Sequence, residues 1–261
     1  MERQPVLEVI AVDAADAKAA EEGGADRIEL VSAMSEGGLT PSYGVMEHVV
    51  SQVSIPVYVM IRPHSRSFRY SADDIHAMTR DVSVARELGA AGIVIGALTG
   101  DGEVDLLSMQ LCMAEAQGLG VTFHRAIDVS TSLTEALKAI NTLGNVGRVL
   151  TSGGKQTAPE AILGLKQLQQ LGQTLNIAVM AGSGVTVEGI QTIVSQTGIT
   201  EIHMGSGVRY EGSFNYPVDP HLVEEAKQQL LLASQPFMDS SALSSSPSKG
   251  RDARNKRSDT P

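Results

Sequence analysis

The feature that most constrains this chain is an alternation. Short apolar runs recur along it, each followed by a longer amphipathic stretch. The runs are "VLEVIAV" (6–12), "RIELV" (27–31), "VYVMIR" (57–62), "GIVIGAL" (92–98), "GVTFHR" (120–125), "RVLTS" (148–152), "NIAVMAG" (176–182) and "EIHMG" (201–205). Helical patterns such as "ADDIHAMTRDVSVARELG" and "SLTEALKAINTLG" lie between them. Gly24, Gly89, Gly144 and Gly198 precede the next run, where a left-handed residue stops a helix. Strand and helix alternating eight times predicts parallel strands joined by right-handed crossovers. Eight such units close most naturally into a TIM (β/α)8 barrel. An open doubly wound sheet is the alternative. It would call for a GxGxxG turn after the first strand, where this chain has "AVDAAD".

Alternate side chains of a barrel strand point inward. Assigning the apolar set to the helices leaves Glu8, Arg27, Glu29, Val31, Tyr58, Met60, Arg62, Thr122, His124, Glu201 and His203 for the lumen. The fourth, sixth and seventh runs are too evenly apolar for this test. A structural lumen is filled mainly by Val, Ile and Leu, and unpaired buried charge costs several kcal/mol. The polar set therefore points to a site at the C-terminal face, where barrel enzymes act. Glu29, His124, Arg62 and Asp128 are the candidate catalytic residues. Glu29, Arg62 and His124 are expected to share one cavity, with Asp128 and residues 182–184 at its rim. Arg62 is expected to lower the pKa of Glu29, and an ionised Glu29 to keep His124 protonated. The competing reading is a pairing network that plugs the barrel, with Asp128 as a helix cap or turn residue.

Two glycine loops extend the candidate site. "MAGSGV" (180–185) follows the seventh run and "MGSGVR" (204–209) the eighth. Backbone amides in such loops approach anions, and barrels often hold phosphate between them. Gly182, Ser183, Gly184, His203, Gly205 and Ser206, with Arg125, Thr151 and Ser152, are the candidate substrate- or anion-binding residues. The alternative is ordinary tight turns. "EGGLTPS" (36–42) reads as a shaped loop ending in a helix cap at Ser42.

Composition narrows the classes. The chain has 261 residues and a formal charge of −10, which argues against nucleic acid as a partner. No apolar run approaches the ~20 residues of a membrane span, and the N-terminus lacks the regions of a signal peptide. One cysteine, Cys112, forbids an internal disulfide and suits a reducing, cytoplasmic setting. Residues 1–233 are read as one barrel domain of charge −12. Residues 234–261, of charge +2 and rich in Ser, Lys and Arg, are read as a disordered tail. The expected partner is a small molecule or a metal, with a homodimer as a candidate assembly.

The motifs "GGADRIEL" (23–30), "EGGLTPS" (36–42), "MIRP" (60–63), "VTFHRAID" (121–128) and "VLTSG" (149–153) together resemble the CutC family of copper homeostasis proteins. The resemblance spans about residues 6–210. It implies a TIM barrel, a cytoplasmic site and a role in copper handling, with copper as the cargo. The family's reported ligands are cysteines near the ends of the early strands. This chain has Ile10, Ala11 and Val31 where relatives often carry them. It also has His64, Ser65, Arg66 and Ser67 in place of "RGGD", and Ile127 for Phe, while keeping His203. Cu(I) prefers sulfur ligands, so no tight Cu(I) site is expected, and the metal ligands stay unassigned. Two function classes remain: copper handling, and acid/base chemistry on a small anionic or phosphorylated metabolite.

Overall fold

The computed structural model describes residues 4–235. The proposed tail lies outside them except for Ser234 and Gln235. Eight parallel strands close into a barrel in sequence order. They are β1 (Val6–Ala11), β2 (Arg27–Leu30), β3 (Val57–Met60), β4 (Gly92–Ile95), β5 (Gly120–Phe123), β6 (Arg148–Thr151), β7 (Ala178–Ala181) and β8 (Glu201–Met204). The helices α1 (Ala14–Glu22), α2 (Tyr43–Gln52), α3 (Ala72–Glu87), α4 (Leu106–Glu115), α5 (Leu133–Asn141), α6 (Ile162–Leu175), α7 (Ile190–Thr197) and α8 (Pro220–Ala233) follow the strands in turn. The open sheet is excluded because β1 pairs with β8, bringing Glu8 opposite His203. No helix among the described residues is long and apolar enough to cross a membrane.

The strand alternation holds. Leu7, Val9, Ile28, Leu30, Val57, Val59, Val121, Phe123, Ile202 and Met204 join the large core between barrel and helices. A small separate apolar cluster of Ile10, Val31, Met60 and Val94 fills the upper lumen. The helix boundaries follow their caps. Ser42 caps α2, and Ser71 with Asp74 forms a capping box on α3. Gly24, Gly89, Gly144 and Gly198 all take positive φ, as helix stops require. Cys112 is fully buried in α4.

Below the site the lumen is plugged by Tyr58. Its ring lies between Arg27, 5.1 Å away, and Arg148, 5.5 Å away. The ring needs space on β4 and β5, and glycines provide it. A Cβ at Gly92 or Gly120 would overlap the Tyr58 side chain. Gly120→Ala is therefore expected to cost about 1–3 kcal/mol, as overpacking does. Adding Tyr58→Phe should recover part of that, because the nearest clash is with the hydroxyl. Urea unfolding of the single and double variants measures both. Equal losses in the two would mean that the ring does not set the constraint.

The chain does not run directly from β8 into α8. Residues 205–219 form a strap across the barrel end, held by one arginine. Arg209 Nη2 reaches Asp16 Oδ2 at 2.5 Å and donates to the Ile10 carbonyl at 3.1 Å. Its Nη1 donates to the Tyr216 carbonyl at 2.7 Å. The Asp16 carboxylate also accepts from the backbone N–H groups of Val12 and Val218. Phe214 stacks 4.5 Å from the guanidinium.

Candidate functional site

A cavity of about 230 Å³ opens at the C-terminal end of the strands. Glu29, Arg62 and His124 all line it, as their alternation predicts, and so do Arg125 and His203. Ser183, Gly184, Gly205 and Ser206 supply the wall from the two glycine loops. Gly182, Thr151, Ser152 and Asp128 do not reach it. Phe68, Phe214, Met34 and Met60 provide apolar wall.

Asp128 instead clamps the loop after β6. Its carboxylate accepts from Thr151 Oγ1, from the Ser152 N–H and hydroxyl, and from the Gly154 N–H. It also takes Arg125 Nε at 2.9 Å, while Arg125 Nη2 donates to Ser152 Oγ at 3.0 Å. Asp128 thus fixes Arg125 at the cavity mouth.

The charge relations differ from expectation. Arg62 does not act on Glu29. Its Nη1 donates to the carbonyls of Glu36, Gly37 and Gly38 at 3.1–3.2 Å, shaping the loop after β2. Its guanidinium packs 4.7 Å from the Phe68 ring. Among the described residues no carboxylate pairs with it. Burial, with some contribution from Glu8, raises the Glu29 pKa to about 7 against the pull of His203 and Arg27. Burial, aided by the Arg62 charge, drives His124 down to about 3, so it is neutral rather than protonated. Its Nδ1 accepts from the Ala126 N–H at 3.2 Å, which leaves the ring proton on Nε2.

Beneath Glu29 lies a network that strand reading captured only in pieces. His203 Nδ1 pairs with Glu8 Oε1 at 2.7 Å, and its Nε2 faces Glu29 Oε2 at 3.7 Å. Arg27 hydrogen-bonds Glu8 and reaches Glu201 at 3.3 Å. Arg148 reaches the same Glu201 oxygen at 2.7 Å. Burial pushes the Glu8 pKa up, but Arg27 and His203 outweigh it and hold this carboxyl well below its usual range. Burial pulls His203 down, yet Glu29 and Glu8 bring it above its usual value. The role of Arg148 was hidden because β6 is too apolar to show its register. Phe68 and Phe214 come from loops that carry no periodic signal.

The donor set argues against a soft metal. Glu8, Glu29 and His203 bring ligand atoms within 4.8 Å of one another, but they are oxygens and an imidazole. Cys112 is remote from them, and burial pushes its thiol up to about 12. Met180 Sδ is engaged by Arg27, and Met204 faces the outer core. Met34 and Met60 are the thioether side chains on the cavity wall. These residues do not fit a Cu(I) centre.

Fold and site together define a (β/α)8-barrel protein with an ionisable cavity at the C-terminal end of its strands. The CutC family profile matches residues 6–208, and the chain belongs to that family. A CutC family protein of Rhizobium meliloti is 44% identical over 197 residues, covering 76% of this chain and 79% of the relative. One from Vibrio campbellii is 45% identical over 184 residues, covering 70% and 74%. Among solved structures, the CutC protein of Streptococcus agalactiae, provisionally described as a copper homeostasis protein, aligns with a TM-score of 0.72 and 30% identity. That alignment covers 77% of this chain and 98% of the other. The phosphoribosylanthranilate isomerase of Pyrococcus furiosus aligns with a TM-score of 0.59 at 14% identity, covering 88% and 100%, which is a likeness of fold.

Proposed function

We propose that this protein is an acid/base enzyme acting on a small anionic, and specifically phosphorylated or carboxylated, metabolite. One observation carries the reading. A single cavity joins a buried carboxyl whose pKa lies near 7 to a buried arginine that has no acidic partner among the described residues. A carboxyl tuned to neutrality is suited to proton transfer, and a guanidinium with no carboxylate partner and a free Nε–H among the described residues is suited to a substrate's charge. Ser183 and Gly184, both at positive φ, and Ser206 bring backbone toward the opposite wall, where a phosphate would rest. His124 offers a neutral Nε2–H without a partner among the described residues.

The test is thermal stabilisation by a panel of sugar phosphates and small carboxylates. At least one compound is expected to raise the Tm of the parent protein, and the rise should shrink at least tenfold in ligand affinity in Arg62→Met. Absence of stabilisation across the panel would overturn the reading. Copper handling is the second reading, favoured by the family and by the Met34 and Met60 thioethers on the wall. Competition titration is expected to find no tight Cu(I) binding. Stoichiometric, high-affinity Cu(I) that survives Cys112→Ser would instead favour copper. A reducing cytoplasm suits either role, because the thiol is buried and unpaired.

A further inference from the structure

We propose that Glu29 and His203 form one proton-transfer pair holding a single shared proton, with Glu8 as the residue that positions it. The proposal rests on the acid/base reading above and adds the second proton-transfer group, the positioning residue and the kind of substrate.

The geometry comes first. Glu8 on β1 and His203 on β8 are directly opposite across the barrel closure. The 2.7 Å bond to Glu8 fixes His203 Nδ1 and aims Nε2 at Glu29, 3.7 Å away. Glu29 Oε1 has no partner among the described residues, and both side chains line the cavity. A carboxylate that orients an imidazole from behind is the arrangement that gives histidine a defined tautomer and direction.

Charge balance supplies the second argument. The charged groups beneath the pair are Glu8 from β1, Arg27 from β2, Arg148 from β6 and Glu201 from β8, with the Tyr58 ring of β3 between the two arginines. Across the cavity lie Arg125, which is paired with Asp128, Arg62, which is held by the carbonyls of residues 36–38, and the neutral His124. Two carboxylates beneath the pair, Glu8 and Glu201, meet two guanidinium groups, Arg27 and Arg148. That set is neutral by itself. Uncompensated buried charge is costly, which favours a Glu29–His203 pair that is neutral overall. Only two arrangements satisfy this: ionised Glu29 with cationic His203, or neutral Glu29 with neutral His203. They differ by the location of one proton. Glu29 raised toward neutrality and His203 raised from its usual value agree with such sharing.

The chemistry follows. With the proton on His203, Glu29 is a base and His203 an acid. A substrate lying against both from the cavity gives a proton to Glu29 and receives one from Nε2. Passing the proton from Glu29 back to His203 restores the starting state, with no net exchange with water. The substrate class is a small molecule that loses and gains protons at neighbouring atoms.

Carbon-13 carboxyl and nitrogen-15 imidazole NMR titrations of the full chain test this without a ligand. Both Glu29 and His203 are expected to move in each of two titration steps, and to show complementary fractional protonation between them. In Glu29→Gln, His203 should collapse to one step. In Glu8→Gln, it should populate both neutral tautomers once deprotonated. Glu29 titrating in one step while His203 stays fixed would mark a static ion pair and overturn the proposal. Because no ligand is involved, this result can fail while ligand stabilisation succeeds, and the reverse.

Discussion

Between pH 7 and pH 4.5 the parent protein is expected to hold nearly constant stability, while two single variants move in opposite directions. Glu29 has a folded pKa of about 7 against 4.5 for the free group. Its contribution is fully present below 4.5 and is lost as pH rises to 7, so acidification over this range stabilises. His124 has a folded pKa of about 3 against 6.5. Its contribution is full above 6.5 and is lost as pH falls toward 3, so acidification destabilises. At about 1.4 kcal/mol per pH unit, each effect amounts to roughly 3 kcal/mol by pH 4.5, with opposite signs. His203, raised from 6.5, already contributes in full below that pH and adds no slope. His124→Asn keeps an acceptor for the Ala126 N–H and removes the imidazole. It should become more stable on acidification by about 2–3 kcal/mol, while Glu29→Gln becomes less stable by a similar amount. Below pH 4.5 Glu8 joins His124 in opposing the fold, and the parent should unfold steeply. Urea midpoints at half-unit pH steps provide the measurement. Parallel profiles for the two variants would refute this account.

Asp16→Ala is expected to cost about 3–5 kcal/mol, because it leaves the Arg209 guanidinium buried and uncompensated. The loss should exceed that from any exposed ion pair, such as Lys138 with Glu135, for which the expected effect is within about 0–1 kcal/mol. Replacing both partners together, as in Asp16→Leu with Arg209→Met, should recover a substantial part, since the stranded charge disappears. Only the double variant removes the guanidinium on which Phe214 stacks, so there ligand affinity should fall even as stability recovers. A measured loss below about 1 kcal/mol for Asp16→Ala would show that the strap holds without its clamp.

The barrel was legible because its strands are short and two-sided. Where a strand carries unlike faces, as in "RIEL" or "VTFH", period two assigns each side chain. In "RVLT" and "AVMA" both faces are apolar enough that Leu150, Met180 and the neighbouring Arg148 could not be placed. Glu29, Arg62 and His124 could be assigned to one cavity from alternation alone. Their protonation could not, because it depends on where each guanidinium spends its donors. Arg62 spends them on the carbonyls of residues 36–38, a contact written in loop conformation rather than in residue type. The pairing of Glu8 with His203 depends on the register of barrel closure, which no local pattern specifies.

That closure has a consequence for how the chain is made. Glu8 and His203 are 195 positions apart. A ribosome adding about 5–20 residues per second leaves β1 without its closing neighbour for roughly 10–40 s. During that time β1 is a free strand edge, open to pairing with another nascent chain. Glu8 points charge inward along this waiting edge, as edge strands do when they must resist wrong partners. The carboxylate that later orients His203 thus also guards the half-built barrel, and the last strand to emerge both completes the sheet and covers it.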